Sequence, residues 1–132
     1  MDSPLTLGNL VIKPVPIMHG ILDILGFVIE ETGRRVVYLT DVNAIPPDSF
    51  GIIENPDLLI IGALRIQEHS THFNFNQAME VSLRINAGQT LLTHICHNTS
   101  HEEITAYCRE FLEKRNSALK IVPAFDGQVL VI

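Results

Sequence analysis

Thr90-Leu91-Leu92-Thr93-His94-Ile95-Cys96-His97-Asn98-Thr99-Ser100-His101-Glu102-Glu103-Ile104 passes from one kind of regular structure to another. Thr90 to Thr93, with Ile95, is too apolar to have a solvent face and reads as a buried strand. Ser100 followed three residues later by Glu103 is a capping box, in which each side chain satisfies a backbone N–H the first helical turn leaves free. Beyond it, Ile104, Tyr107, Cys108, Phe111 and Leu112 fall on the i, i+3, i+4, i+7, i+8 stripe of a helix with one buried face. Lys114 and Arg115 then meet the negative end of its dipole. A buried strand feeding an amphipathic helix predicts an α/β chain.

The same signals recur upstream. Leu58 to Leu64 is a second continuous apolar strand, followed by a helix with Asn74 as N-cap, Gln77 completing its box, Ala78, Val81 and Ile85 on one face, and Gly88 as its stop. Gly26 to Glu30 and Arg35 to Thr40 flank Glu31-Thr32-Gly33-Arg34 and read as a hairpin. Leu10 to Met18 is apolar and β-branched but broken by Pro14 and Pro16, which suits an edge or bulged strand. Pro46-Pro47-Asp48 starts a short helical turn. Leu119 to Val122 and Gln128 to Ile132 are read as closing strands around an Asp126-Gly127 turn. The predicted order is strand, hairpin, strand, helix, strand, helix, strand, strand. With no linker or repeat, residues 1–132 form one domain, a mixed sheet with two main helices.

A chain of 132 residues is long enough to bury a core. It is 46% apolar and 18% charged, more apolar surface than a chain this size easily hides, so a sheet covered on both faces or a large interface is expected. A net charge of −6, with no basic run, opposes general affinity for nucleic acid or anionic membrane. Cys96 and Cys108 lack CxxC spacing, and Met1-Asp2-Ser3-Pro4 lacks the regions of a signal peptide. No run approaches the roughly 18 apolar residues of a membrane span. A soluble cytoplasmic protein with free thiols is expected.

Polar groups end several apolar runs: Val-Pro-Ile-Met in His19, Val-Val-Tyr-Leu-Thr in Asp41, and Thr-Leu-Leu-Thr in His94. Strand-end residues can converge on one edge of a sheet. Singly, each is more often a cap or turn residue; together, two imidazoles and a carboxylate suit zinc, manganese or ferrous iron. His97 and His101 flank a helix start, where backbone N–H groups favour an anion and histidine can be ligand, proton donor, phosphate contact or solvated cap. His69-Ser70-Thr71-His72 precedes the Asn74 helix in the same way. Cys96, between His94 and His97, is read as a core residue rather than a ligand.

Ile17-Met18-His19-Gly20, Tyr38-Leu39-Thr40-Asp41, His72-Phe73-Asn74-Phe75-Asn76-Gln77-Ala78 and Leu92-Thr93-His94-Ile95-Cys96-His97, in this order, resemble the metallo-β-lactamase superfamily. The likeness runs from about Val11 onward. It is greatest to the phosphodiesterases that open phosphoribosyl cyclic phosphate, with tRNA-processing ribonuclease Z more distant. The resemblance implies two divalent cations, zinc or manganese. His19 would bind the first, Asp41 would bridge both and His94 would bind the second. It also implies a catalytic His72 beside the substrate phosphate, with His97 and His101 in the active-site loop as substrate contacts.

One departure shapes the expectation. The family's His-x-His-x-Asp-His motif, source of further metal contacts, has no counterpart in this sequence. The resemblance thus implies the second half of an αββα sandwich: part of the metal site of a hydrolase, with a phosphodiester as substrate class. The phosphate ester would be a small molecule or nucleotide. Alone the chain would be inactive, needing a complementing N-terminal half. The alternative is a non-catalytic half-fold that self-associates, as a homo-oligomer, or binds a partner through its apolar face.

Overall fold

Glycine turns join the first four strands and helices join the last four, and that difference sets the sheet. The computed structural model describes residues 3–132. Strands β1 (Leu5–Leu7), β2 (Leu10–His19), β3 (Leu22–Glu31) and β4 (Arg34–Leu39) pair antiparallel in succession. Helix α1 (Pro47–Ile53), β5 (Leu58–Gly62), α2 (Phe75–Arg84), β6 (Gln89–Thr93), α3 (His101–Lys114) and β7 (Lys120–Pro123) follow, with β4 to β7 parallel. A helix between strands carries the chain back to the starting edge, whereas a tight turn reverses it. Strand order across the seven-stranded sheet is the order in sequence.

Alternation divides the sheet into two faces. Val15 and Ile17 of β2, Val28 of β3, Val37 and Leu39 of β4, Leu59 and Ile61 of β5 and Leu92 of β6 join one core with Ile53, Phe75, Ala78, Met79, Ile104, Cys108 and Phe111 of the helices. Register aligns these side chains: Val37 lies beside Leu59 and Leu39 beside Ile61. The opposite face presents Leu25, Phe27 and Tyr38, all substantially exposed. Helices therefore cover one face of the sheet, not both.

Both main helices open with the expected capping boxes, Asn74 with Gln77 and Ser100 with Glu103. Their ends differ from expectation. Asn86, not Gly88, stops α2: it takes φ 54°, Asn86 N–H donates to Leu83 O and Ala87 N–H to Ser82 O. Asn116 ends α3 identically, with φ 50° and bonds to Glu113 O and, from Ser117, to Leu112 O. Asparagine tolerates the left-handed residue that this motif requires. Gly88 instead permits a close approach, since a Cβ there would lie 3.0 Å from Asp57 O.

The strands bring four corrections. β1 was not anticipated, and β3 starts at Leu22 because Gly20-Ile21 makes a tight hairpin. Strand β6 stops at Thr93, where His94 turns left-handed at φ 57°. Ile95 is therefore outside the strand, and Cys96 is half-buried in a loop rather than in the core. Gln128 to Ile132 forms no strand, although Gln128 N–H does donate to Phe125 O across the Asp-Gly turn. A turn signal specifies a local reversal, while a ladder also needs a neighbour in register.

Pro14 and Pro16 behave as edge residues inside a strand with two neighbours. β1 covers only Leu10 to Ile12 of β2. Met18 exchanges backbone bonds with Asn43 and Ala44 on the side away from β3. Even-numbered residues of β2 thus point their backbone groups outward, and the missing N–H of each proline leaves no ladder bond unmade. The Ser49 hydroxyl donates to Pro16 O at 2.7 Å. No helix among the described residues is long and apolar enough to cross a membrane.

Two stability predictions follow from the core. A Cβ on Gly26 would lie 2.5 Å from Leu39 Cδ2 and 2.9 Å from Tyr38 O. Gly26→Ala should therefore cost about 1–3 kcal/mol, read as a lower urea midpoint at unchanged slope; an unchanged midpoint would show that Leu39 moves aside freely. Burial pushes the Cys108 thiol up to about 11. Cys108 should resist a thiol reagent at pH 9 in the folded chain and react on unfolding; labelling of Cys108 at native midpoint-free conditions, at the rate of half-buried Cys96, would contradict its burial.

Candidate metal centre

Strands β2, β4, β5 and β6 all finish at one edge of the sheet, β2 because two reversals restore the direction of β4. His19 is the last residue of β2, Asp41 lies two beyond β4, and His94 follows β6 directly. Asp41 and His94 both hold left-handed backbone, φ 53° and 57°, which turns each out of its strand direction. Gly62 ends β5 between them. A Cβ at Gly62 would lie 3.4 Å from Asp41 N and 3.8 Å from the His94 Cβ.

Backbone bonds then fix the loops against one another. Phe73 N–H donates to Val42 O at 2.7 Å and Leu64 N–H to Phe73 O at 2.9 Å, which brings His72 beside Asp41. Ala63 N–H donates to Thr93 O and Cys96 N–H to Leu64 O, both at 2.9 Å, which holds His94. On the β2 side, Asn43 accepts from Gly20 N–H at 2.7 Å and donates to Ser70 O at 3.1 Å. Asn43 thereby ties the His19 turn to the loop carrying His69 and His72.

The result is a nest of imidazoles around one carboxylate. His72 lies with ring centroids 4.7 Å from both His19 and His94, and 5.2 Å from His69. His94 Nε2 is 3.3 Å from Asp41 Oδ1, and His72 Nδ1 is 3.9 Å from the same oxygen. One donor atom from each of His19, Asp41 and His72 lies within 4.8 Å of the others. Burial, then the neighbouring His94 and His19, hold His72 below the ordinary histidine pKa; Asp41 acts in the other direction. His72 is therefore neutral at pH 7.

The donor set fits a divalent cation. Two ligands bound tetrahedrally at about 2.1 Å are separated by about 3.4 Å, close to the 3.3 Å between His94 and Asp41. His19 Nδ1 is 2.9 Å from Thr71 O. A carbonyl only accepts, so Nδ1 carries the proton and Nε2 keeps its lone pair, the arrangement that orients a metal-binding histidine.

His19, Asp41, His72 and His94 converge, then, with His69 beside them. His97 and His101 do not join: His97 is exposed in the turn after β6, and His101 opens α3 with its ring 6.2 Å from Phe125. Two contributors escaped the sequence reading. Asn43 was visible only as a polar interruption two residues after Asp41, and the Thr71 carbonyl, being backbone, leaves no mark in sequence.

The family described as the β-lactamase superfamily domain matches residues 1–95. An octanoyltransferase of Porphyromonas gingivalis is 33% identical over 104 residues, 77% of this chain and 20% of that protein. Among solved structures, a diphosphatase of the PhnP family superposes with a TM-score of 0.84 and 29% identity, covering 100% of this chain and 47% of that one. The metallo-β-lactamase fold protein YhfI of Bacillus subtilis follows at 0.76 and 26%, covering 98% and 52%. The short form of human tRNase Z, at 0.72 and 19% over 97% and 45%, shares the fold. The chain spans about half the length of these solved structures and a fifth of the octanoyltransferase. It belongs to the β-lactamase superfamily, carries the metallo-β-lactamase fold, and within that fold resembles the PhnP branch.

Proposed function

We propose that the chain supplies part of the divalent-metal centre of a phosphate-ester hydrolase, most simply a phosphodiesterase. The observation carrying this reading is the convergence of His19, Asp41, His72 and His94 at one sheet edge, with the His19 tautomer set by Thr71 O. His19 and His94 are the imidazole ligands, and Asp41 is the carboxylate between them. Bound zinc or manganese would supply charge that polarises a phosphoryl oxygen and acidifies water.

The chain's own residues account for the rest. Neutral His72, walled by His19, His69 and His94, offers a lone pair to a proton at the reacting oxygens or an N–H to the phosphate. His97 and His101 stand farther out, beside the α3 start, where an anion is favoured. Three protein ligands shared between two cations leave each short of four-coordination. A complementing segment with further ligands therefore completes the centre, and the working enzyme is cytoplasmic, acting on a small phosphate ester or nucleotide. The exposed Leu25, Phe27 and Tyr38 favour a second reading, a non-catalytic module that self-associates through that sheet face.

Titration of the chain with zinc or manganese should give saturable binding that Asp41→Ala weakens at least tenfold. Any turnover of bis(p-nitrophenyl) phosphate should disappear in that variant. Turnover that survives Asp41→Ala would sink the assigned role. A metal-free dimer by size exclusion would favour the module, and a monomer binding metal tightly in fixed stoichiometry would contradict both the need for a complementing segment and the module.

A further inference from the structure

Two imidazoles at the centre meet the same residue in opposite ways. His19 Nδ1 lies 2.9 Å from Thr71 O, a group that only accepts, so this nitrogen donates. Thr71 N–H donates in turn to His69 Nδ1 at 3.3 Å, and the Thr71 hydroxyl stands 3.2 Å from that nitrogen. A ring nitrogen that accepts an amide hydrogen carries none itself, so the hydrogen of the His69 ring is on Nε2. The peptide groups of one threonine thus leave His19 a free lone pair at Nε2 and leave His69 an N–H there.

The loop that does this sorting is fastened on both sides of His69. Arg65 Nη2 donates to Glu68 O at 3.1 Å, and Asn43 Nδ2 donates to Ser70 O at 3.1 Å. Leu64 N–H donates to Phe73 O at 2.9 Å, which closes the base of the loop. A Cβ on Gly20 would lie 3.0 Å from Thr71 Cγ2, so the turn after His19 is fitted against the same threonine. The His69 ring lies 5.2 Å from that of His72, which is itself 4.7 Å from His19 and from His94. His69 therefore stands one ring out from the two imidazole ligands. Among the described residues, no acceptor takes its Nε2 hydrogen.

An N–H cannot bind a cation, and moving the hydrogen to Nδ1 would break the bond from Thr71. It can donate to an oxygen that bears negative charge, where a hydrogen bond is strongest. We propose that His69 is a hydrogen-bond donor to an oxyanion held at the centre and not a further metal ligand, with Thr71 as the positioning residue that fixes its tautomer. The proposal rests on the metal-centre reading for the place of the oxyanion, and it gives a role to a residue which that reading uses only as a wall.

The test uses the full chain. Long-range 1H–15N correlation without metal should show His19 protonated at Nδ1 and His69 at Nε2. His69→Asn keeps an oxygen where Nδ1 accepts from Thr71 but has no donor at Nε2, whereas His69→Gln offers an amide N–H near Nε2 and gives up the Thr71 bond. Zinc affinity should be unchanged in His69→Asn. Inorganic phosphate, titrated into the zinc-loaded chain, should bind roughly tenfold more weakly to His69→Asn, the lower end for one hydrogen bond to a charged group. His69→Gln should recover most of that loss. A His69 ring protonated at Nδ1 overturns the proposal, and so does zinc binding lost with His69→Asn, which would make the ring a ligand. Phosphate binding that His69→Asn leaves unchanged, or that both variants weaken equally, reduces His69 to a brace and overturns the donor role with the metal reading intact. A chain that binds no zinc overturns the metal reading. Phosphate binding to such a chain that follows the same order of variants still supports the donor, and no phosphate binding overturns it.

Discussion

The approach of Asp41 and His94 across Gly62 is the constraint on which the rest of the site depends. Parallel strands alone leave residues on β4 and β6 two strand spacings apart, close to 10 Å. Closing that gap requires both chains to turn inward as they leave the sheet, and both do so through left-handed backbone at a non-glycine residue. Such a conformation costs of order 1–2 kcal/mol at each position. The bonds from Ala63, Leu64, Phe73 and Cys96 hold the loops in place against that strain. Gly62, with no side chain in the gap, lets the two residues meet. Strain at two facing positions, one carrying a carboxylate and the other an imidazole, is the pattern expected where geometry serves chemistry rather than stability.

The same edge explains why β2 takes part. Asp41 leads the chain past β3 to the outer side of β2, where Ala44 meets Met18. Pro14 and Pro16 keep that side free of a regular strand, and Ser49 takes up the carbonyl left exposed at Pro16. Sequence alone marks these prolines as an edge signal. Their consequence is larger: the unpaired stretch of β2 is where the loop after Asp41 docks, and the docking brings His19 to the carboxylate.

Much of this was legible because the relevant signals are local. The boxes at Asn74 and Ser100, the stripe through Ile104 and Phe111, and the apolar runs of β5 and β6 each declare themselves within a few residues. The strand-end positions of His19, Asp41 and His94 were legible for the same reason. What was missed depends on distant neighbours. β1 is short and exposed, and exists only because β2 offers it an edge. The tail after Gly127 has strand composition but no ladder. Cys96 was misplaced because the strand was carried past Thr93, and nothing local shows that His94 leaves it through positive φ. His72 is the subtler case: its motif was readable, but its position among three other imidazoles follows from backbone bonds across four loops.

Because strand order equals sequence order, the order of motifs along the chain is also their order along the edge of the sheet. His19 on β2, Asp41 after β4, His94 after β6 and Phe125 after β7 form a line rather than a scatter. Chemistry changes along it, from imidazoles around one carboxylate to an aromatic ring with a second carboxylate. Asp41 has two imidazoles within 4 Å of its carboxylate, whereas Asp126 stands on the exposed turn after β7. The order of the chain therefore separates a carboxylate held among imidazoles from one open to solvent.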